Sequence, residues 1–144
     1  MYDKNGDLEQ SIQALKKVLA QEPDNAEALN YLGYTYADKG MNLGEAEELI
    51  NKALRLRPDD GYIVDSLGWV LFKQGRYPEA VKELERAHVL VPDDPVILDH
   101  MGDAYIKIGD SKAALEAFQN ALKKAKEEDK KKIKAKIEKL EKSR

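Results

Sequence analysis

The stretch D-S-L-G-W-V-L-F-K-Q-G-R-Y-P-E-A, at residues 65–80, combines the end of one helix, a turn and the start of another. Gly75 can adopt positive φ and stop the first helix. Pro78 stands where a second helix would begin, a position that tolerates proline, and Ala80 opens the second apolar face. The residues of the first helix that recur at i, i+3, i+4 and i+7 are Val64, Leu67, Gly68 and Leu71. The stretch therefore predicts a helix–turn–helix unit with small residues where the two helices meet.

The same unit recurs along the chain with a period of about 34 residues. Four kinds of position repeat: the small residue inside the first helix, the glycine that stops it, the alanine that opens the second helix and the proline that ends it. They are, in that order, Gly33, Gly68 and Gly102; Gly6, Gly40, Gly75 and Gly109; Ala46, Ala80 and Ala114; and Pro23, Pro58 and Pro92. A fixed period of this length is typical of stacked helical repeats.

The residues at these positions resemble the tetratricopeptide-repeat (TPR) family, whose pattern reads W-x2-L-G-x2-Y, A-x3-F and P. The matching segments are Leu29-x2-Leu32-Gly33-x2-Tyr36, Ala46-x3-Ile50 and Pro58; Val64-x2-Leu67-Gly68-x2-Leu71, Ala80-x3-Leu84 and Pro92; and Leu98-x2-Met101-Gly102-x2-Tyr105 and Ala114-x3-Phe118. The resemblance covers nearly the whole chain. It implies an all-α fold, a right-handed α-solenoid of antiparallel helix pairs with about eight helices.

We expect one array over residues 1–144. Its parts are a partial repeat at 1–23, repeat 1 at 24–58, repeat 2 at 59–92, repeat 3 at 93–126 and a C-terminal capping helix at 127–144. Asn25, either Asp59 or Asp60, and Asp94 are the expected helix N-caps, because their side chains can accept from free backbone N–H groups.

Near the N-terminus, Tyr2 and Gly6 occupy the positions of Tyr36 and Gly40, the end of a first helix and its stop. Residues 8–22 then form a helix of the second type. We expect that the chain was cut from a longer array; the alternative is a native start with a short cap. Such an open helix would expose Leu8, Ile12 and Leu15, and repeat ends could then stack head to tail in a homo-oligomer.

Composition and charge exclude several classes of function. The chain of 144 residues carries a formal net charge of −3 and no cysteine, which excludes disulfides and thiolate chemistry. The segment 123–144 holds 11 of the 24 Lys/Arg and 5 of the 27 Asp/Glu, a net of +6, which leaves −9 for the rest. An acidic body is not expected to bind nucleic acid. No apolar run is long enough to insert into a membrane.

The basic tail at 128–142 carries one narrow apolar stripe, formed by Ile133, Ile137 and Leu140. This spacing favours a helix that caps the last repeat. The alternative is an arm for acidic membranes or nucleic acid, which would normally carry bulky aromatic residues on its apolar face.

No phosphate loop, dinucleotide fingerprint, zinc-protease helix or nucleophile elbow occurs, so we expect neither an enzyme nor a cofactor. His88 and His100 are the only histidines. His100 has four acidic neighbours in sequence, Asp93, Asp94, Asp99 and Asp103, which could ligate a hard metal ion together with the histidine. Helix capping by Asp93 and Asp94 and solvated acids explain the same cluster, and no known ligand spacing is met, so we expect no metal site.

In the TPR family, partners bind mainly to the second, fifth, ninth, twelfth and thirteenth residues of each repeat. Counted from Ala26, Gly61 and Pro95, these are Glu27, Asn30, Tyr34, Ala37 and Asp38; Tyr62, Asp65, Trp69, Phe72 and Lys73; and Val96, Asp99, Asp103, Ile106 and Lys107. From these we select ten residues for the groove: Asn30, Tyr34, Tyr62, Asp65, Trp69, Phe72, Lys73, Asp99, Asp103 and Lys107. The resemblance thus implies a groove that binds a protein or peptide.

The four aromatic residues of this set lie outside the packing positions, and exposed aromatic residues are common anchors of protein contacts. The alternative is that they pack on a neighbouring first-type helix. The three aspartates favour a partner with basic and apolar residues. They also depart from the family's clamp for acidic chaperone tails, which uses Lys, Asn and Arg.

We therefore expect a non-catalytic interaction module. Self-assembly through repeat ends and a regulatory segment of a larger enzyme complex are the alternatives. Residues 29–80 look most like bacterial multi-repeat scaffold proteins, which implies a cytoplasmic or, for an envelope protein, a periplasmic location.

Overall fold

The computed structural model describes residues 4–143, with side chains from residue 6 onward. Within this range the chain forms eight α-helices and no strand. They are α1 (Lys4–Gln21), α2 (Ala26–Asp38), α3 (Leu43–Leu56), α4 (Gly61–Lys73), α5 (Tyr77–Leu90), α6 (Pro95–Lys107), α7 (Ser111–Lys124) and α8 (Glu127–Lys142). The expected all-α solenoid of about eight helices is confirmed.

The helices stack in two rows. Each of α2, α4 and α6 packs on the helix that follows it, and α2 and α6 also lie against α4. Within residues 4–143, α3, α5 and α7 make no comparable packing on one another. In a curved stack, helices on the inner side lie closer together than helices on the outer side. The helices α2, α4 and α6 therefore form the inner, concave face of the array.

Local sequence explains where the helices begin and end. The Oδ1 atoms of Asn25, Asp60 and Asp94 accept backbone N–H groups at 2.9–3.3 Å in the first turns of α2, α4 and α6. The expected caps are thereby confirmed, with Asp60 rather than Asp59 in the second case. Gly75 follows α4 with φ of 82°, a left-handed conformation that a residue without Cβ adopts readily.

Repeat 1, at residues 24–58, is one residue longer than repeats 2 and 3, and the extra residue lies in the turn between α2 and α3. Asn42 adopts a left-handed conformation there, with φ of 49°, and directly precedes α3. Asparagine tolerates this region better than most residues. The insertion is therefore absorbed in the turn and leaves the helix pairing intact.

Two expectations for the N-terminal segment are wrong. Gly6 does not stop a helix, because α1 already begins at Lys4 and runs through it; Tyr2 lies outside the described residues. Ile12 is not exposed, since only 4% of its surface is accessible, and Leu8 and Leu15 are half-buried. The apolar face of α1 packs on α2, as each later second-type helix packs on the helix that follows it.

The C-terminal helix α8 packs on α7. Its apolar stripe supplies Ile133 and Leu140, both buried, and Ile137, half-buried, to the same core cluster as Phe118 of α7. The stripe is therefore used for packing within the chain, as expected for a helix that covers the preceding repeat.

Candidate partner-binding site

The ten predicted groove residues all lie on α2, α4 and α6, but they differ widely in exposure. Tyr62, Lys73 and Lys107 are exposed, whereas Asp65 and Trp69 are buried. The remaining five are half-buried: Asn30, Tyr34, Phe72, Asp99 and Asp103. The concave face is thus closed in its middle and open at its two edges.

The expectation that burial does not explain Trp69 is wrong. Only 8% of its surface is accessible. The indole is stacked on Phe72 at 4.7 Å between ring centroids and on His100 of α6 at 4.0 Å. Its Nε1 donates to Oδ1 of Asp38 on α2 at 3.2 Å. Trp69 therefore links three helices of the concave face, which is the packing alternative that the sequence left open.

Asp65 faces a histidine rather than solvent. Its Oδ1 lies 2.9 Å from Nδ1 of His100, and both side chains are buried. Burial disfavours the charged imidazole, but the carboxylate of Asp65, helped by Asp99 and Asp103, outweighs burial and raises the pKa of His100 above its ordinary 6.5. Asp65 therefore already has a hydrogen-bonding partner within the chain, which is cationic when His100 is protonated.

Asp99 and Asp103 are also paired internally. Nζ of Lys136, on α8, lies 2.8 Å from Oδ1 of Asp99 and 3.0 Å from Oδ1 of Asp103. Burial raises the pKa of Asp103, and the proximity of Lys136 only partly opposes it. The three aspartates that were expected to attract a basic partner therefore already have hydrogen-bonding partners within the chain.

The open parts of the concave face form two rows. Near the start of α4 and α6, Tyr62 and Val96 occupy equivalent second positions, with 56% and 49% of their surface accessible. Lys73 and Lys107 are the last residues of the same two helices and are both exposed. On α4 and α6 one edge is thus apolar and the other cationic, whereas the equivalent positions of α2 are the exposed acidic residues Glu27 and Asp38.

An exposed isoleucine on α6 and a shielded amide oxygen on α2 are two further features of the concave face. Ile106 is 39% accessible near the end of α6. Oδ1 of Asn30 is shielded from solvent and has no hydrogen-bond partner within the described part of the chain. A shielded amide oxygen without a donor is unfavourable.

Sequence reasoning missed two residues that organise this face, His100 and Lys136. Repeat position gave no usable signal for His100: the sixth residue of each repeat is exposed in repeat 1 (Tyr31) but buried in repeats 2 and 3 (Ser66 and His100). The metal alternative for His100 has no geometric support, since no group of three or more potential ligands suited to a metal ion occurs among residues 6–143. Across the described range, none of the helices is both long and apolar enough to traverse a bilayer.

An all-α array with an inner face of this kind defines an α-solenoid protein-interaction module. A profile described as "Tetratricopeptide repeat-like domain" matches residues 39–142, and one described as "Tetratricopeptide repeat" matches residues 2–61. The chain therefore belongs to the tetratricopeptide-repeat family, whose members are generally non-catalytic.

Similar proteins agree with this assignment. The TPR repeat-containing protein PA4667 of Pseudomonas aeruginosa is 49% identical over 87 residues, which cover 60% of this chain but only 15% of that protein. The crystal structure of MamA aligns with a TM-score of 0.68 at 28% identity, over 85% of this chain and 75% of MamA. The TPR protein TTC0263 of Thermus thermophilus aligns with a TM-score of 0.79 over 95% of this chain and 74% of its own; at 21% identity this likeness shows the fold alone.

Proposed function

We propose that the concave face of α2, α4 and α6 binds a peptide segment of a protein partner, without catalysis. The observation that carries the proposal is the pair Tyr62 and Val96, two exposed apolar side chains at equivalent positions of neighbouring helices. Packed helices lie about 8–10 Å apart, so about three residues of an extended chain span from one to the other. Exposed apolar side chains repeated at this interval suit an apolar segment that crosses the repeats.

The exposed charged side chains of the concave face indicate the chemistry of the partner. Asp65, Asp99 and Asp103 are paired within the chain, so they give no reason to expect a basic partner. Lys73 and Lys107 are exposed at the opposite edge from Tyr62 and Val96. We therefore infer a segment with apolar side chains on one side and acidic ones on the other.

A peptide-display selection against the intact chain, followed by affinity measurement of the selected peptides, tests this function. The double variant Tyr62→Ala/Val96→Ser should weaken binding at least tenfold, because removing anchor side chains typically costs about 1.4 kcal/mol or more, about tenfold in affinity. The matched control is Tyr31→Ala/Val89→Ser, which removes a tyrosine and a valine with 68% and 77% of their surface accessible outside the groove positions. Equal loss in both variants, or loss only in the control, would refute the assigned site.

The charge of the partner is tested separately. Lys73→Glu/Lys107→Glu should weaken binding of an acidic segment, whereas Lys82→Glu/Lys112→Glu, on the exposed surfaces of α5 and α7, should leave it unchanged. Tighter binding by the groove variant would instead identify a basic partner, as the sequence alone suggested.

A further inference from the structure

The ring of His100 lies where the three helices of the concave face meet. It stacks on Trp69 of α4 at 4.0 Å, pairs with Asp65 of α4 at 2.9 Å and lies 6.3 Å from the ring of Tyr34 on α2. Only 5% of its surface is accessible. Because Trp69 also donates to Asp38, one chain of contacts runs from α2 through α4 to α6.

Charged groups surround this ring on several sides. Asp65 faces it from α4, Asp99 and Asp103 act on it from α6, and Lys136 of α8 partly offsets the latter two. On α2, Tyr34 is kept neutral, because burial, with Asp38, Asp65 and Asp99, raises the pKa of its hydroxyl. Proton loss from His100 therefore removes the cation with which Asp65 pairs.

We propose that His100 and Asp65 form a pH-sensitive latch that sets how tightly α6 closes on α4, and so regulates the concave face. The regulatory meaning rests on the proposed function, but the latch itself does not. With His100 protonated, the ion pair holds the ring against Trp69 and the middle of the face stays closed. With His100 neutral, the pair weakens, α6 is held less firmly and Trp69 becomes more accessible.

The direction of the pH effect follows from linkage. The pKa of His100 is higher in the folded chain than its ordinary 6.5, so folding favours the protonated form. The stabilisation is fully present below the unfolded value and is lost as pH rises through the folded value. The latch is therefore closed in mild acid and loosens with rising pH.

The chain carries its own probe, since Trp69 is the only tryptophan. A protonated imidazole quenches the fluorescence of an indole stacked on it. Wild-type fluorescence, and the rate of quenching by added acrylamide, should both rise in one transition between about pH 5 and pH 9, centred above the ordinary histidine value. A flat acrylamide profile across that range would overturn the latch.

Three variants assign the transition. Asp65→Asn should move its midpoint down by about 1–3 pH units, the usual effect of removing a close opposite charge. His100→Gln should abolish the transition. His88→Gln should keep it, because that histidine lies on α5 and lines a recess with Leu98 and Met101, away from Trp69. An unchanged midpoint in Asp65→Asn, or a surviving transition in His100→Gln, would refute the assignment.

If His100→Gln does not fold, the His100 Cε1 proton resonance of wild type and Asp65→Asn reports the same midpoints by NMR. None of these measurements needs a partner. If the selection yields no peptide that binds the chain, the proposed function is refuted. The latch is still judged by its own titration.

Discussion

A Cβ atom built on Gly68 would lie 2.7 Å from Cγ and Cδ2 of Leu84. Carbon atoms do not approach so closely, and Leu84 is fully buried, so it has little room to move. The spacing of α4 and α5 therefore depends on the missing side chain at residue 68. We expect Gly68→Ala to lower the free energy of unfolding by about 1–3 kcal/mol and Gly68→Leu to lower it further, as measured by urea denaturation.

Gly44 provides the control for this prediction. It lies in the first turn of α3, and a Cβ there would meet no atom within 4 Å. Gly44→Ala should be neutral or should stabilise the chain by up to about 1 kcal/mol, because alanine favours the helix over glycine. Similar destabilisation in both alanine variants would show that contact with Leu84 is not the cause.

The neighbouring residues Asp59 and Asp60 should respond differently to alanine. Oδ1 of Asp60 accepts the backbone N–H groups of Tyr62 at 3.0 Å and Ile63 at 3.3 Å, whereas Asp59 is exposed and makes no such cap. Asp60→Ala should lower the free energy of unfolding by about 1 kcal/mol. Asp59→Ala should change it by less than about 0.5 kcal/mol. Thermal melts of both variants check the difference, and equal melting temperatures would argue against the cap.

Features with short-range causes could be predicted from the sequence. Helix N-caps need only a side chain and the next three backbone N–H groups, so Asn25 and Asp94 were identifiable from their positions. The contact between Gly68 and Leu84 was also predictable, because both positions recur at a fixed period and the period itself defines which helices pair.

The middle of the concave face could not be predicted in the same way. Whether Trp69 is solvated or stacked depends on His100, which is 31 residues away, and on how closely α6 approaches α4. Lys136 reaches Asp99 only because α8 docks on α7, and its pairing partner lies 37 residues away. Repeat position predicts which helix a residue lies on and in which direction it points, but not which distant side chain already occupies that space.

Because Trp69 is buried and Tyr62 is exposed, alanine at these two positions should have different effects on stability. Trp69 is a buried aromatic contact, so Trp69→Ala should lower the free energy of unfolding by about 3–5 kcal/mol. Trp69→Phe keeps a ring in the stack but removes the hydrogen bond to Asp38, which should cost about 1 kcal/mol. Tyr62→Ala, at an exposed position, should lower stability by less than about 0.5 kcal/mol. Circular dichroism during urea denaturation checks the order, and a silent Trp69→Ala would mean that the indole is not packed as described.

Lys136 should be the most sensitive lysine of α8. Its ammonium group bonds both Asp99 and Asp103, and its removal leaves two neighbouring carboxylates without a cation. Lys136→Gln should lower the free energy of unfolding at neutral pH by about 1–3 kcal/mol. Lys134→Gln, at an exposed position of the same helix, should change it by less than about 0.5 kcal/mol. Urea denaturation of the two variants at neutral pH checks the difference.

The pH dependence of the Lys136→Gln variant separates charge from packing. Burial already raises the pKa of Asp103, and without Lys136 the cation that opposes this rise is lost. Repulsion between the two carboxylates therefore acts only above that pKa, and the stability deficit should shrink as acid protonates one of them. Asp99→Asn in the Lys136→Gln background should restore part of the loss at neutral pH for the same reason. If the deficit is instead constant from about pH 4 to pH 7, it comes from the lost contact of the Lys136 ammonium group with Phe118, whose ring centroid lies 5.4 Å from Nζ.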